Sequence, residues 1–289
     1  MKNILITGGT GQLGTAVIDT MLKSVPTAQI SILTRNEEKR KGFEDKGFRA
    51  CLGSYDNLES LEKAMEGVDT VLLISSGDQG DRMQEHKNVI DTAKRTGVKN
   101  IAYTSRCLRD RSALANKLMV EHFQTEDYIL ASGLNHIIFR NALYMDAIPQ
   151  FIGGRSALDR GIFLPAGEGK VAFALRSEMG EAMAIALTTQ DADNRIYHFT
   201  GDHAYSFGDV AAALSSLSGK QIRYTDTEEA AFAKMMKDRN LPAPVIQKII
   251  DFITDIRQNQ EADTYNDLEV LLGRKPASLK EGLKLLFEL

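Results

Sequence analysis

The chain has 289 residues, with 35 Lys or Arg against 39 Asp or Glu and a formal net charge of −4. This balance excludes the basic surface that nucleic-acid binding requires. No apolar run approaches the roughly 18 residues of a membrane span, and a strand pattern rather than a signal peptide opens the sequence. The only cysteines, Cys51 and Cys107, are far apart in the sequence. These features predict a cytoplasmic protein that needs no disulfide.

The first elements along the chain are a strand, a glycine-rich turn and a helix. Ile4, Leu5 and Ile6 form an apolar run that predicts a buried parallel strand, and an apolar stripe over residues 13–21 predicts the helix. The predicted cofactor-binding residues of the turn are Gly8, Thr10, Gly11, Gln12, Leu13 and Gly14.

The glycine spacing in this turn is Gly-x-x-Gly-x-x-Gly. Gly8 permits a tight turn, Gly11 lets the backbone approach a pyrophosphate, and Gly14 lets the helix pack closely. A purely structural turn is the alternative interpretation. The flanking strand and helix favour dinucleotide binding.

The second predicted strand covers residues 29–34 and ends immediately before Arg35. In a Rossmann unit this position faces the adenosine ribose, where an acidic residue indicates NAD. Arg35 instead offers a guanidinium suited to a 2′-phosphate, so the sequence favours NADP(H) over NAD(H). A solvated arginine at a strand end is the alternative.

Further strands are predicted at residues 48–52, 68–74, 101–104 and 135–139, with helices at 58–65 and 86–98 between them. This alternation predicts an α/β fold with a Rossmann-type, doubly wound parallel sheet, whose ligands bind beyond the strand C-termini. Ser75, Ser76, Thr104 and Ser105 follow two of these strands and are predicted to contact the cofactor. Each of them can also be an ordinary loop hydroxyl.

The alternation weakens after Pro149, where glycine-rich loops and then helices dominate. We therefore predict a Rossmann domain over residues 1–150, to which some later segments return, and a smaller, mainly helical substrate lobe over residues 151–289. Ser206 and Ser278 begin capping signatures of two helices in that lobe. The helical C-terminal third can be scaffold or a dimer contact, so a monomer and a homodimer both remain open.

Several phrases of the sequence resemble the NmrA-like atypical short-chain dehydrogenase/reductases, most closely the bacterial NAD(P)H:quinone oxidoreductase and triphenylmethane reductase branch. They are Thr7–Gly14, Leu73–Ser76, His86–Ile90, Ile101–Ser105 and Arg140–Tyr144. The resemblance implies a Rossmann domain with a small C-terminal lobe, NADPH as cofactor and a flat aromatic acceptor. Arg35 matches the 2′-phosphate arginine of the branch. Ser54 departs from the pattern, because the family often carries an acidic residue there for the adenine.

The Tyr-x-x-x-Lys pair, which a short-chain dehydrogenase uses on alcohols and sugars, is absent, since none of the eight tyrosines precedes a lysine at this spacing. Glu126 resembles the family's helix glutamate. Counting back from it places His122 at the lysine position and Leu118 at the tyrosine position. Leucine cannot transfer a proton, which argues against alcohol oxidation and against a nucleotide-sugar epimerase.

Reduction of a quinone makes weaker demands, because the acceptor is electron-poor and solvent can protonate the product. The predicted catalytic residues are His122, Asn141 and Tyr144. His122 can bind the nicotinamide ribose or supply a proton, or it can be a helix histidine satisfied by a neighbour. Asn141 and Tyr144 can orient nicotinamide or acceptor, although Tyr144 can equally be a packed aromatic.

Other candidate residues give weaker signals. Phe151 and Phe163 can stack on substrate or simply pack the lobe, and Cys107 is better interpreted as inert than as a redox sensor. No residues have metal-ligand spacing.

We therefore predict an NADPH-dependent reductase of quinones or related flat aromatic acceptors, with no nucleic-acid or membrane partner. The alternatives are a non-catalytic NADP(H) sensor that controls a partner protein, as in the fungal members that name the family, and, last, an epimerase-like protein.

Overall fold

The computed structural model of the chain describes residues 2–77, 80–189 and 194–289. The strands are β1 (Ile4–Thr7), β2 (Ile30–Thr34), β3 (Arg49–Leu52), β4 (Thr70–Leu73), β5 (Asn100–Arg106), β6 (Asn135–Asn141), β7 (Ile162–Leu164), β8 (Lys170–Val171), β9 (Arg195–Phe199), β10 (Tyr205–Ser206) and β11 (Tyr224–Asp226). The helices are α1 (Gln12–Met21), α2 (Glu37–Glu44), α3 (Leu58–Met65), α4 (Arg82–Arg95), α5 (Lys117–Ser132), α6 (Ile148–Ile152), α7 (Ala157–Arg160), α8 (Arg176–Thr189), α9 (Phe207–Ser218), α10 (Glu229–Asp238), α11 (Ala243–Arg257), α12 (Asp267–Leu272) and α13 (Leu279–Phe287).

The described residues form two compact units. The first contains residues 1–106, 121–141 and 176–198, and the second contains residues 107–120, 142–175 and 199–289. None of the helices in the described ranges combines the length and the apolar character that crossing a bilayer requires.

The first unit is built on a seven-stranded sheet with the order β3-β2-β1-β4-β5-β6-β9. Strands β1 to β6 pair in parallel, with Ile4 beside Ile30 on one side and Thr70 on the other. All four residues of β1 are buried, as expected for a parallel strand covered on both faces. The prediction of a Rossmann-type doubly wound sheet is confirmed. The order of the strands reverses between β1 and β4, which is where such sheets bind ligands.

Polar caps fix the starts of the helices in this unit. Asn36, Asn57 and Asp81 each accept a backbone N–H in the first turn of α2, α3 and α4. The Asp81 cap starts α4 at Arg82, four residues before the predicted start at residue 86. This extra turn brings Arg82 into the helix.

The second unit is mainly helical around its own apolar core. The predicted capping boxes at Ser206 and Ser278 are both formed, with Asp209 and Glu281 as the reciprocal partners. Its strands β7, β8, β10 and β11 have two or three residues each and pair in two small sheets. Strands this short carry no alternation, so the sequence pattern did not indicate them.

Candidate functional site

The turn between β1 and α1 has the geometry that its glycines predict. Gly8 has a φ of +68°, a conformation that residues with a Cβ rarely adopt. A Cβ on Gly14 would lie 2.5 Å from the Gly8 carbonyl oxygen, so a side chain is excluded there. A Cβ on Gly11 would meet only that same oxygen, at an ordinary 3.4 Å. The fold itself therefore tolerates a side chain at Gly11, and the space in front of this residue is free for a ligand.

The N-terminus of α1 presents its backbone donors without a competing cap. The N-cap residue, Gly11, offers no side chain, and the first turn contains no acidic residue. The N–H groups of a first turn have no partner inside the helix, and the helix dipole favours an anion beside them. This helix start, together with the glycine turn, fits a diphosphate.

A cavity of about 260 Å³ lies at the C-terminal ends of β1 to β4, at the switch point of the sheet. Its lining residues lie at or just after the ends of these four strands, in the segment before α4, or in the first turn of α4. They are Gly8, Thr10, Leu33, Thr34, Arg35, Gly53, Ser54, Tyr55, Asp56, Ile74, Ser75, Ser76, Gly77, Gly80 and Glu85. Of the predicted cofactor residues, the cavity thus brings together Gly8, Thr10, Arg35, Ser75 and Ser76.

Arg35 is exposed at this cavity. Within the described ranges its guanidinium forms neither a hydrogen bond nor an ion pair, unlike Arg40 on the following helix, which pairs with Glu37 and Glu44. An unpaired, exposed arginine at this position fits a ligand phosphate.

The wall of the cavity contains a tyrosine, Tyr55, that the sequence pattern did not indicate as part of the site. The Tyr55 hydroxyl lies 2.6 Å from Thr7 Oγ1 and 2.8 Å from the Ile74 carbonyl oxygen. Burial raises the pKa of this phenol, and the hydrogen bond to Thr7 opposes that rise. Tyr55 therefore ties the loop after β3 to the ends of β1 and β4.

Two side chains of helix α4 form hydrogen bonds with the loop after β4. The backbone N–H of Ser76 donates to His86 Nε2 at 3.0 Å, and the Ser76 carbonyl accepts from Arg82 Nε at 3.2 Å. The backbone N–H and carbonyl of Ser76, in the cavity wall, are thus both fixed by buried side chains of α4. Arg82 also forms an ion pair with Glu121, at 3.3 Å.

These contacts define the protonation state of His86. Because Nε2 accepts the Ser76 amide hydrogen, the proton of the neutral ring lies on Nδ1, which donates to Thr125 Oγ1 at 2.9 Å. Burial of the ring, reinforced by the positive charge of Arg82, lowers the pKa of His86 to about 3. The ring is therefore neutral at physiological pH.

The same helix holds the loop after β3, because Asn88 Nδ2 donates to the Tyr55 carbonyl oxygen at 3.0 Å. The sequence pattern did not identify His86 or Asn88 as supports of the site. One signal was available: His86 shares the face of α4 that buries Val89, Ile90 and Ala93. A polar residue on a buried face requires a hydrogen-bond partner.

Thr104 and Ser105, both predicted to contact the cofactor, are buried at the end of β5 and make internal hydrogen bonds. Thr104 Oγ1 accepts the Ser75 N–H at 2.9 Å, and Ser105 Oγ donates to Glu126 at 2.5 Å. Glu126 is in turn paired with Arg140, at 2.6 Å. In the structure both hydroxyls support neighbouring segments.

His122 lies on α5 and is only 5% exposed. Its Nδ1 is 3.0 Å from the Tyr103 hydroxyl. Burial, together with the nearby charges of Arg82 and Arg106, holds the pKa of His122 well below its ordinary value. The imidazole is therefore neutral at physiological pH, and its predicted catalytic role stays a prediction.

The remaining predicted residues lie outside the lining of this cavity. Asn141 is buried at the end of β6, and Tyr144 belongs to the second unit, where it bridges to Ala174. Gln12 accepts a hydrogen bond from Arg176, and Leu13 is buried on α1.

Phe151 and Phe163, the two candidates for stacking on substrate, lie in the second unit. The Phe151 ring packs 5.5 Å from that of Phe252, whereas Phe163 is 42% exposed. Cys107 is buried.

Within the part of the chain that the structure describes, no three His, Cys, Asp or Glu residues are grouped to hold a metal ion.

Comparison with known proteins gives a consistent result. The model of the NmrA-like family matches residues 1–288. Quinone oxidoreductase 2 of Escherichia coli is 35% identical over 285 residues, covering 98% of both chains. The crystal structure of the NADPH-dependent quinone oxidoreductase QOR2 from that organism, complexed with NADPH, superposes with a TM-score of 0.91 at 34% identity, covering 98% of this chain and 99% of its own. Triphenylmethane reductase of Citrobacter sp., complexed with NADP(H), gives a TM-score of 0.91 at 31% identity with the same coverage.

Proposed function

Because the chain belongs to the NmrA-like family, we propose that it is an NADPH-dependent oxidoreductase that reduces a quinone or a related flat aromatic acceptor. The observation that carries the proposal is Arg35, exposed and unpaired within the described ranges, on the same cavity as the glycine turn. The similar proteins named as NADPH-dependent quinone oxidoreductase and triphenylmethane reductase support it.

In this proposal the cofactor is held by the chain's own groups along the ends of β1, β2 and β4. The backbone N–H groups at the start of α1 bind the pyrophosphate, with Gly8 and Gly14 shaping the turn. Arg35 binds the 2′-phosphate. Ser75 and Ser76 border the same cavity, and their loop is fixed by Thr104 and His86.

NADPH, when bound, supplies a hydride to an electron-poor acceptor. The task of the chain is to bind and orient the two molecules and to exclude water. We propose Asn141 and Tyr144 as residues that orient the nicotinamide or the acceptor. His122 is neutral and buried. We therefore propose that it positions the Tyr103 side chain rather than acting as an imidazolium acid.

The proposed acceptor class follows from the missing proton donor. Leu118 is one turn before His122 on α5, where an alcohol dehydrogenase of this type needs its tyrosine. A quinone accepts hydride without such a group and takes its proton from solvent. Substrates that need a protein acid, such as ketones and nucleotide sugars, are therefore disfavoured.

Stopped-flow oxidation of NADPH with a panel of small quinones tests the proposal. We expect NADPH to be consumed in proportion to the quinone added, and NADH to react more slowly because it lacks the phosphate for Arg35. Saturating NADPH binding with no turnover on any quinone or dye would contradict the reductase and support a non-catalytic NADP(H) sensor.

A further inference from the structure

A second cavity, of about 420 Å³, lies wholly within the second unit. Its walls come from α6, α7, β7, α10 and α11. The volume is within the range of pockets that bind small molecules. The reductase proposal makes no use of this cavity.

The interior of the cavity is apolar and rich in aromatic rings. Phe151, Phe163 and Phe232 line it together with Met235 and Met236. Phe232 and Met236 are buried, whereas Phe163 leaves 42% of its surface exposed. Phenylalanine rings and thioether sulfur atoms together form favourable walls for a flat aromatic ring.

The charged groups of the cavity are all positive. Arg160 and Arg239 both line it, and no Asp or Glu is found among the described residues of its lining. Across the described ranges, neither arginine side chain has a hydrogen bond or an ion pair. The adjacent acids do not neutralise them, because Asp159 is paired with Lys220 at 2.6 Å and Asp238 with Lys234 at 3.5 Å.

We propose that this cavity binds a small aromatic anion, that is, a flat ring system bearing a carboxylate or a sulfonate. The ring lies against the phenylalanine and methionine side chains, and the anionic group pairs with Arg160 and Arg239. A guanidinium binds a carboxylate through two parallel hydrogen bonds, which a neutral amide cannot reproduce. The site therefore prefers anions to neutral molecules and rejects cations of the same shape.

Calorimetric titration of the full-length protein without cofactor tests this site. The probe is 2-naphthoate, and 2-naphthamide serves as its neutral match. We expect 2-naphthoate to bind at least about tenfold more tightly than 2-naphthamide. Added salt should weaken the binding of 2-naphthoate but not that of 2-naphthamide, because salt screens the ion pair between the carboxylate and the two exposed arginines.

Two variants separate the charge of the site from its shape. The double variant Arg160→Gln/Arg239→Gln should remove the preference for naphthoate while keeping the affinity for naphthamide. Met235→Trp should weaken both probes because the larger ring fills the cavity. Lys237→Gln/Lys248→Gln is the matched control, since it removes two charges from α10 and α11 at positions that do not line the cavity.

Equal affinity for the two naphthalenes in the unmodified protein would overturn the proposal, and that comparison requires no variant to fold. So would an equal loss of naphthoate binding in both double variants, because the effect would then be general electrostatics. All readings are taken without NADPH. A negative result therefore leaves the reductase proposal standing, and the quinone assay tests that proposal separately.

Discussion

At the scale of single residues, we propose that Arg35 decides which cofactor the cavity accepts. Replacing it with alanine removes the only cation among the described residues that line this cavity. We expect Arg35→Ala to weaken NADPH binding by about tenfold or more, the usual worth of a charged hydrogen-bonded pair. The affinity for NADH should not change. Calorimetric titration with both dinucleotides measures the difference.

Lys41→Ala is the control for Arg35→Ala, because it removes one positive charge from α2 at a residue that does not line the cavity. It should leave the preference for NADPH intact. If the unmodified protein binds the two dinucleotides equally, Arg35 has no part in cofactor selection.

Some residues of the cavity could be predicted from the sequence, and others could not. Gly8 and Gly14 are recognisable from the strand, turn and helix that contain them. Arg35 is recognisable from its place directly after β2, and its part in cofactor binding stays a prediction. Tyr55 and His86 depend on partners that only the fold supplies: Thr7 is 48 residues from Tyr55, and Thr125 is 39 residues from His86. A local pattern carries no information about such pairings.

At the scale of elements, α4 supports two loops of the cavity, one through His86 and the other through Asn88. We expect His86→Leu to weaken NADPH binding by about tenfold, because the Ser76 N–H would lose its acceptor. His86→Gln should bind NADPH nearly as well as the unmodified protein, since its amide oxygen can accept the same hydrogen. Dissociation constants and melting temperatures of both variants provide the comparison.

Val89→Ala controls for simple loss of stability in the same helix, because Val89 is fully buried and does not line the cavity. It should lower the melting temperature without changing the dissociation constant for NADPH. Equal NADPH affinity in His86→Leu and Val89→Ala would show that the contact between His86 and Ser76 does not support the cofactor site.

Elements were predictable in proportion to their length. Strands β1 to β6 have four to seven residues and alternate with helices, so the parallel sheet followed from the pattern. The helices of the second unit were equally recognisable, through the capping boxes at Ser206 and Ser278. The lining of the second cavity was not, because it combines residues of five short or separate elements.

For the molecule as a whole, the family resemblance was predictable because the matching phrases are spread from Thr7 to Tyr144, and the family model matches residues 1–288. The identity of the acceptor could not be predicted in this way. Its identity depends on side chains brought together by loops, and Asn141 and Tyr144 can be given roles only as proposals. The sequence therefore predicts the class of reaction better than it predicts the substrate.

The buried histidines give the whole molecule a specific sensitivity to acid. His86 is fully buried and neutral with a pKa of about 3, whereas in the unfolded chain its ordinary value is about 6.5. Below the unfolded value, the unfolded chain takes up a proton that the folded protein cannot. Stability is therefore lost as the pH falls from about 6.5 towards 3. His86 alone accounts for about 2 kcal/mol by pH 5.

Urea unfolding of the cofactor-free protein at about pH 7 and pH 5 measures this loss. His86→Gln should lose about 2 kcal/mol less than the unmodified protein over that interval, because glutamine does not titrate. Val89→Ala, which keeps His86, should lose as much stability over that interval as the unmodified protein, because it removes no titrating group. Acidic residues contribute equally in all three proteins and cancel in the comparison. Identical losses in the three proteins would mean that His86 is protonated in the folded state, and its hydrogen bond from Ser76 could then not exist.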